Sequence, residues 1–141
     1  PRRTRVLDVV ASGFHDSLGL YESCSPGQLA AARGWLAALG LAAQAEARFE
    51  ALSFGTQRLV LVARAMVKWP PLLILDEPCS GLDLGNRARV LELADRIAAT
   101  GRTQILYVSH EAAAMPRCIT RRMEFRPREG GGFALVDVAP G

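Results

Sequence analysis

Two adjacent carboxylates, Asp76 and Glu77, close the apolar run Leu72-Leu73-Ile74-Leu75. A short continuous apolar run of this kind is the pattern of a strand buried on both faces of a parallel sheet. In open α/β sheets, the carboxyl edge of such strands is where ligands bind. Neighbouring side chains on an extended segment point to opposite sides, so the two carboxylates can take two tasks. Asp76 can hold Mg²⁺ beside a polyphosphate, and Glu77 can orient or deprotonate a water for attack on a γ-phosphate. The plainer alternative is a strand that ends in a charged turn stopped by Pro78.

Three further groups bear on that choice. Ser53-Phe54-Gly55-Thr56 lies some twenty residues upstream and opens a helix. A hydroxyl, a residue without a side chain and free N–H groups at a helix N-terminus make an anion site, although Ser53 also reads as an ordinary N-cap. Ser80-Gly81-Leu82-Asp83 follows the carboxylate pair directly. Ser109-His110 ends a second apolar run, so His110 is expected at the same sheet edge as Asp76 and Glu77, where an imidazole can hydrogen-bond a phosphate or the attacking water.

The elements that must position these groups are legible. Residues 1 to 51 read as helical. Val6, Leu7, Val9 and Val10 give a short helix closed near Gly13, and residues 16 to 25 read as a loop. Ser25-Pro26-Gly27-Gln28 is a capping-box start with proline at the first helical position. Leu29, Ala32, Leu36 and Leu39 follow on one helical face, with Gly40 as the terminating glycine. A helix is expected from Ser53 to about Lys68, apolar nearly all round and therefore buried on several sides, stopped by Pro70-Pro71. Asp83 caps the next helix, with Val90, Leu93, Ala94 and Ile97 on its inner face, ended by Thr100-Gly101. Residues 103 to 108 form the second strand, completing a parallel crossover unit. A short helix near 111 to 115 and two strands, 121 to 126 and 133 to 138, complete the chain, with a turn at 127 to 132.

Composition bounds the function classes. The 141 residues are 50% hydrophobic and 22% charged, which suits a globular chain and excludes overall disorder. No run of 18 apolar residues exists, so a membrane-spanning helix is not expected. The net charge of +3 is modest and spread out, so the bland reading of a solvated arginine-rich surface outweighs a nucleic-acid patch. Cys24, Cys79 and Cys118 are far apart, form no CxxC pair and suit a reducing compartment. With two histidines, a His/Cys zinc site has little support.

The order Leu52-Ser53-Phe54-Gly55-Thr56-Gln57, then Leu72 to Pro78, then Ser80-Gly81-Leu82-Asp83, then Val108-Ser109-His110 resembles the ATP-binding-cassette (ABC) ATPase family. The four elements match its signature loop, Walker B strand, D-loop and switch histidine, and the likeness covers residues 1 to 126. Within the family, the Ser12-Gly13-Phe14 to Asp16 segment, the signature phenylalanine and the stretch from Cys118 to Phe125 are similar to tandem cassette proteins of molybdenum transport or photorepair. Departures exist: Phe54 stands for the first glycine of the usual Leu-Ser-Gly-Gly-Gln, Thr56 for its glutamine, and Gly81 where alanine is frequent.

The resemblance implies an α/β fold: a P-loop NTPase (RecA-like) parallel sheet with helices over 52 to 141, preceded by part of an all-α subdomain over 1 to 51. It also implies a cytoplasmic chain, peripheral on the inner face of the membrane where a permease is a partner, and a sandwich of two cassettes holding ATP at the interface. Asp76 then binds Mg²⁺, Glu77 is the general base and His110 holds the γ-phosphate. Ser53, Phe54, Gly55 and Thr56 serve the partner cassette's ATP, and Ser80 to Asp83 link the two sites. No glycine is followed by lysine, so no G-x-x-x-x-G-K-[ST] phosphate loop is present. The chain, which begins at Pro1, is therefore expected to be an internal piece whose sheet lacks the phosphate-loop strand, leaving an open edge. By itself it is expected to be inactive. Three functions compete: the energy-supplying cassette of an importer, with molybdate as the suggested cargo; a soluble cassette ATPase in DNA repair or translation; and a non-hydrolytic interaction module.

Overall fold

The structure, a computed structural model, describes residues 4–15, 23–111 and 114–138. Helix α1 (Val6–Ala11) passes into a 3₁₀ turn at Ser12–His15. Helix α2 (Pro26–Ala38) begins as the sequence predicts: the Ser25 hydroxyl accepts from the Gln28 N–H, and the Gln28 side chain accepts from the Ser25 N–H. Gly40 follows its end at φ 70°. Of the expected loop at 16 to 25, residues 16–22 lie outside the described residues.

Helix α3 (Phe54–Met66) is capped by Ser53, strand β1 spans Leu72–Asp76, helix α4 is Leu84–Ala99 and strand β2 is Gln104–Val108. Strands β1 and β2 pair in parallel, with Leu73 opposite Ile105, Ile74 opposite Leu106 and Asp76 opposite Val108. Asp83 caps α4 by accepting from the Asn86 N–H at 2.9 Å, and Val90, Leu93, Ala94 and Ile97 are all buried, as their spacing requires. Strands β3 (Arg122–Pro127) and β4 (Phe133–Val138) form a separate antiparallel hairpin. The short helix expected near 111 to 115 is not formed at Glu111, Ala114 or Met115, and residues 112–113 lie outside the described residues.

One apolar core joins α1, α2, α3, α4 and the inner face of β1, from Val6 and Leu36 through Leu59, Val60 and Met66 to Leu75 and Val90. Two expectations need correcting. Strand β1 is not buried on both faces: Leu73 and Leu75 are buried, whereas Leu72 and Ile74 are exposed, as are Leu106 and Val108 beside them on β2. Helix α3, expected to be buried on several sides, buries Leu59, Val60, Ala63 and Met66 but leaves Leu61 47% exposed. The physical reason is shared. Helices cover one side of the β1–β2 pair, and among the described residues nothing covers the other side or pairs with the outer edge of either strand. Apolar character on both faces of a strand says that two layers are needed, not that both are present.

Candidate functional site

The end of β1 carries the carboxylates. Asp76 is its last residue and is exposed. Glu77 leaves the strand at φ 45°, a conformation that side chains other than glycine rarely adopt. Such backbone persists where surrounding contacts over-determine it, and here three do. The Glu77 N–H donates to the Val108 carbonyl at 2.9 Å, the Ser80 N–H donates to the Glu77 carbonyl at 3.2 Å, and the Arg58 guanidinium donates to that same carbonyl.

His110 lies across the edge, just beyond β2. Its N–H donates to Glu77 Oε1 at 3.0 Å, and its Nδ1 lies 2.7 Å from the same oxygen. The parallel register makes this meeting inevitable: Asp76 is opposite Val108, so residues one and two positions further on share one edge. The bond to His110 holds the Glu77 carboxyl below its ordinary range, helped by the Arg58 charge. In turn, the Glu77 carboxylate raises the His110 imidazole, with Glu111 adding to it. Nδ1 is committed to Glu77, which leaves Nε2 as the ring nitrogen free to face a ligand.

The sign of each shift fixes the pH window. A lowered Glu77 contributes above its ordinary 4.5, and its contribution is lost as pH falls through the folded value. A raised His110 contributes below its ordinary 6.5, and its contribution is lost as pH rises through the folded value. The pair is therefore strongest between 4.5 and 6.5. In a Mg²⁺-free NMR titration, the His110 ring should titrate above 6.5 in the unaltered chain, and Glu77→Gln should lower that midpoint. A His110 midpoint unmoved by Glu77→Gln would contradict the pairing.

The second group sits at the start of α3. Ser53 Oγ accepts from the Thr56 N–H at 3.3 Å and lies 2.9 Å from the Thr56 hydroxyl. Ser53 is thus an N-cap, and it remains exposed. Phe54 is 58% exposed. Gly55 is buried against Asn86, whose Nδ2 lies 2.7 Å from where a Cβ at position 55 would stand. Asn86 Nδ2 also donates to Asp83 Oδ2 at 2.6 Å. Bonds from Asn86 hold the Asp83 carboxyl below its ordinary range. Gly55 and Asp83, well separated in sequence, are therefore joined through one side chain. Ser80 is half-buried, Gly81 turns at φ 70° and Leu82 is buried, so the segment is a tight turn between β1 and α4.

Sequence reasoning missed Arg58, Asn86 and the Arg87–Glu111 ion pair at 2.9 Å. For Arg58 a signal existed: it stands four residues after Phe54, the spacing at which helical side chains meet, and its guanidinium lies 4.9 Å from the Phe54 ring centre. Asn86 and Arg87 gave no signal, because contacts between α3, α4 and the β2 end depend on packing.

The donor set bears on Mg²⁺. Among the described residues, no cluster of three or more His, Cys, Asp or Glu could hold a metal by itself. Mg²⁺ beside nucleotides is commonly held by one or two carboxylates together with phosphates and waters, and exposed Asp76 at the strand edge fits that lesser requirement.

A family profile described as "AAA domain, putative AbiEii toxin, Type IV TA system" matches residues 43–115. The chain is 46% identical over 134 residues to the ABC transporter ATP-binding protein ModF of Escherichia coli, covering 94% of this chain and 27% of that protein. It is 42% identical over 107 residues to the uncharacterized ABC transporter ATP-binding protein YlmA of Bacillus subtilis, covering 75% and 40%. It is 32% identical over 106 residues to the molybdate import ATP-binding protein MolC of Haemophilus influenzae, covering 75% and 42%. The fold is shared with an ABC transporter solved in an inward-facing conformation and described as "a putative metal-chelate type ABC transporter", at a TM-score of 0.75 and 22% identity, over 100% of this chain and 68% of that one. The chain thus spans between about a quarter and two fifths of these curated relatives' lengths.

Proposed function

The chain belongs to the ABC family of ATP-binding proteins, and from that premise we propose that it supplies the catalytic edge and the signature helix of a cassette that hydrolyses ATP to power transport. Molybdate import is the cargo reading, supported by the molybdate import ATP-binding protein among its relatives. The observation that carries the proposal is the meeting of Glu77 and His110 at the carboxyl edge of β1 and β2, with Asp76 beside them.

Each residue has a role its surroundings support. Asp76 would hold Mg²⁺, which when bound neutralises charge on the phosphates. Glu77 acts as general base toward the attacking water. Its Oε1 is occupied by His110, leaving the other oxygen for that water. His110 keeps Glu77 oriented through Nδ1 and presents Nε2 to the γ-phosphate, and the raised affinity of its ring for a proton favours donation there. Ser53 and Gly55, with Phe54 and Thr56, serve the ATP of a second cassette, offering a hydroxyl and helix N-terminal N–H groups. Ser80 to Asp83 connect the two sites, through Asn86 on the Gly55 side. We assign residues 1–51 to the helical subdomain and 52–141 to the signature helix and the ATPase core. The partners are a second cassette and, for transport, a membrane permease. No described helix is long and apolar enough to cross a membrane.

The whole protein should hydrolyse ATP in a Mg²⁺-dependent manner. The 141 residues alone should show no turnover and weak ATP binding, because a phosphate loop supplies most of the grip on the nucleotide and this sequence has none. Turnover by the isolated 141 residues would overturn that expectation. Co-purification of the whole protein with a permease supports transport, whereas ATPase stimulation by DNA at low salt supports a repair role instead.

A further inference from the structure

The Arg58 side chain touches both candidate functional groups, at Phe54 and at Glu77. From α3, five residues after Ser53, its guanidinium lies over the exposed Phe54 ring, 4.9 Å from the centre. The same guanidinium donates to the main-chain carbonyl of Glu77. That carbonyl belongs to the residue held at φ 45°, whose carboxylate bonds His110. A left-handed glutamate needs restraint on both sides of its Cα. Val108 holds its N–H, and Arg58, with the Ser80 N–H, holds its carbonyl.

We propose that Arg58 is a positioning residue that couples the Phe54 signature loop to the Glu77 backbone, so that engagement of one nucleotide at the signature sets the orientation of the base serving the other. The inference rests on the ATPase reading above. Arginine suits the task because its planar fork stacks on an aromatic face while still donating in the plane. Lysine reproduces the charge and one donor but not the stack. Phe54 contributes the movable end: it is largely exposed and lies in the loop assigned to the partner's ATP. A shift of its ring on nucleotide contact must move the guanidinium or break the stack, and the Glu77 carbonyl is the guanidinium's other attachment.

The test uses the whole protein, with Arg58→Met, Arg58→Lys, Phe54→Ala, the Arg58→Met/Phe54→Ala double variant, and Glu77→Gln as a reference. In nucleotide-free protein, hydrogen exchange over residues 76–80 should accelerate severalfold in Arg58→Met and less in Arg58→Lys. Turnover should fall about tenfold in Arg58→Met with KM for ATP changed less than threefold, and Arg58→Lys should recover part of it. Phe54→Ala should also lower kcat, and the double variant should be no worse than Arg58→Met alone, because the two side chains act as one unit. Unchanged exchange over 76–80, unchanged kcat in Arg58→Met, or strictly additive losses in the double variant would each overturn the inference. If Glu77→Gln abolishes turnover while Arg58→Met does not impair it, the coupling fails and the ATPase reading stands. If Glu77→Gln hydrolyses normally, the ATPase reading fails and takes the coupling with it. Arg58→Lys guards against misfolding, since it preserves charge and length.

Discussion

In the whole protein, Glu77→Gln should lower ATP turnover by about 10²–10⁴-fold, the range a positioned general base contributes, while ATP still binds. The substitution is chosen because little else should change. Glutamine has the same shape, its backbone carbonyl can still take the Arg58 and Ser80 bonds, and its amide oxygen can still accept from the His110 N–H. What is lost is the negative charge and the basic oxygen. Single-turnover hydrolysis and equilibrium binding of ATP, measured on the same preparation, separate the two effects. Normal hydrolysis by Glu77→Gln would remove Glu77 from the mechanism. Loss of binding together with turnover would show instead that the residue supports the nucleotide rather than the water.

Gly55→Asp should be nearly as severe, about 10²-fold in turnover, the scale of losing one group that stabilises developing phosphate charge. Two causes add. A carboxylate at a helix N-terminus occupies the place an anionic phosphate is meant to take. Before that, its Cβ must stand 2.7 Å from Asn86 Nδ2 and 2.9 Å from Asn86 Cγ. Asn86 can yield only by leaving Asp83, whose bond to it is 2.6 Å, so a change in the signature also disturbs the cap of α4. Gly55→Ala separates the causes, since it carries the crowding without the charge. It should lower the thermal unfolding temperature by a few degrees, the shift expected from about 1 kcal/mol of overpacking, with a smaller loss of turnover. Gly55→Asp with normal turnover would exclude the signature loop from contact with nucleotide.

Much of the site was readable before any coordinate. Local patterns carried the caps, since Ser25, Ser53 and Asp83 each bond a backbone N–H three residues ahead. The placing of Glu77 and His110 at one edge was also readable, because a parallel pair joined by a crossover helix brings two strand ends together; the bond between them was not. The sheet's faces were misread. Leu72, Ile74, Leu106 and Val108 are as apolar as Leu73 and Leu75, and composition cannot say which of two apolar faces the described chain covers. Leu61 failed for the same reason: periodicity tells which residues prefer burial, not whether a neighbour is there.

The sequence by itself determined which groups are candidates for phosphate chemistry, the order in which they occur and the elements that carry them. These follow from residue type and short-range spacing, and capping, strand edges and turn glycines act within a few residues. Only the tertiary structure decided how those groups are wired together. The φ of 45° at Glu77, the Arg58 bond to its carbonyl, and Asn86 standing between Gly55 and Asp83 all depend on α3, α4 and β1 packing at fixed distances. Such contacts join residues nineteen to thirty-one positions apart. Side-chain pattern constrains the face a helix presents, but the atom it meets across the core is set by the closest-packed arrangement of the whole.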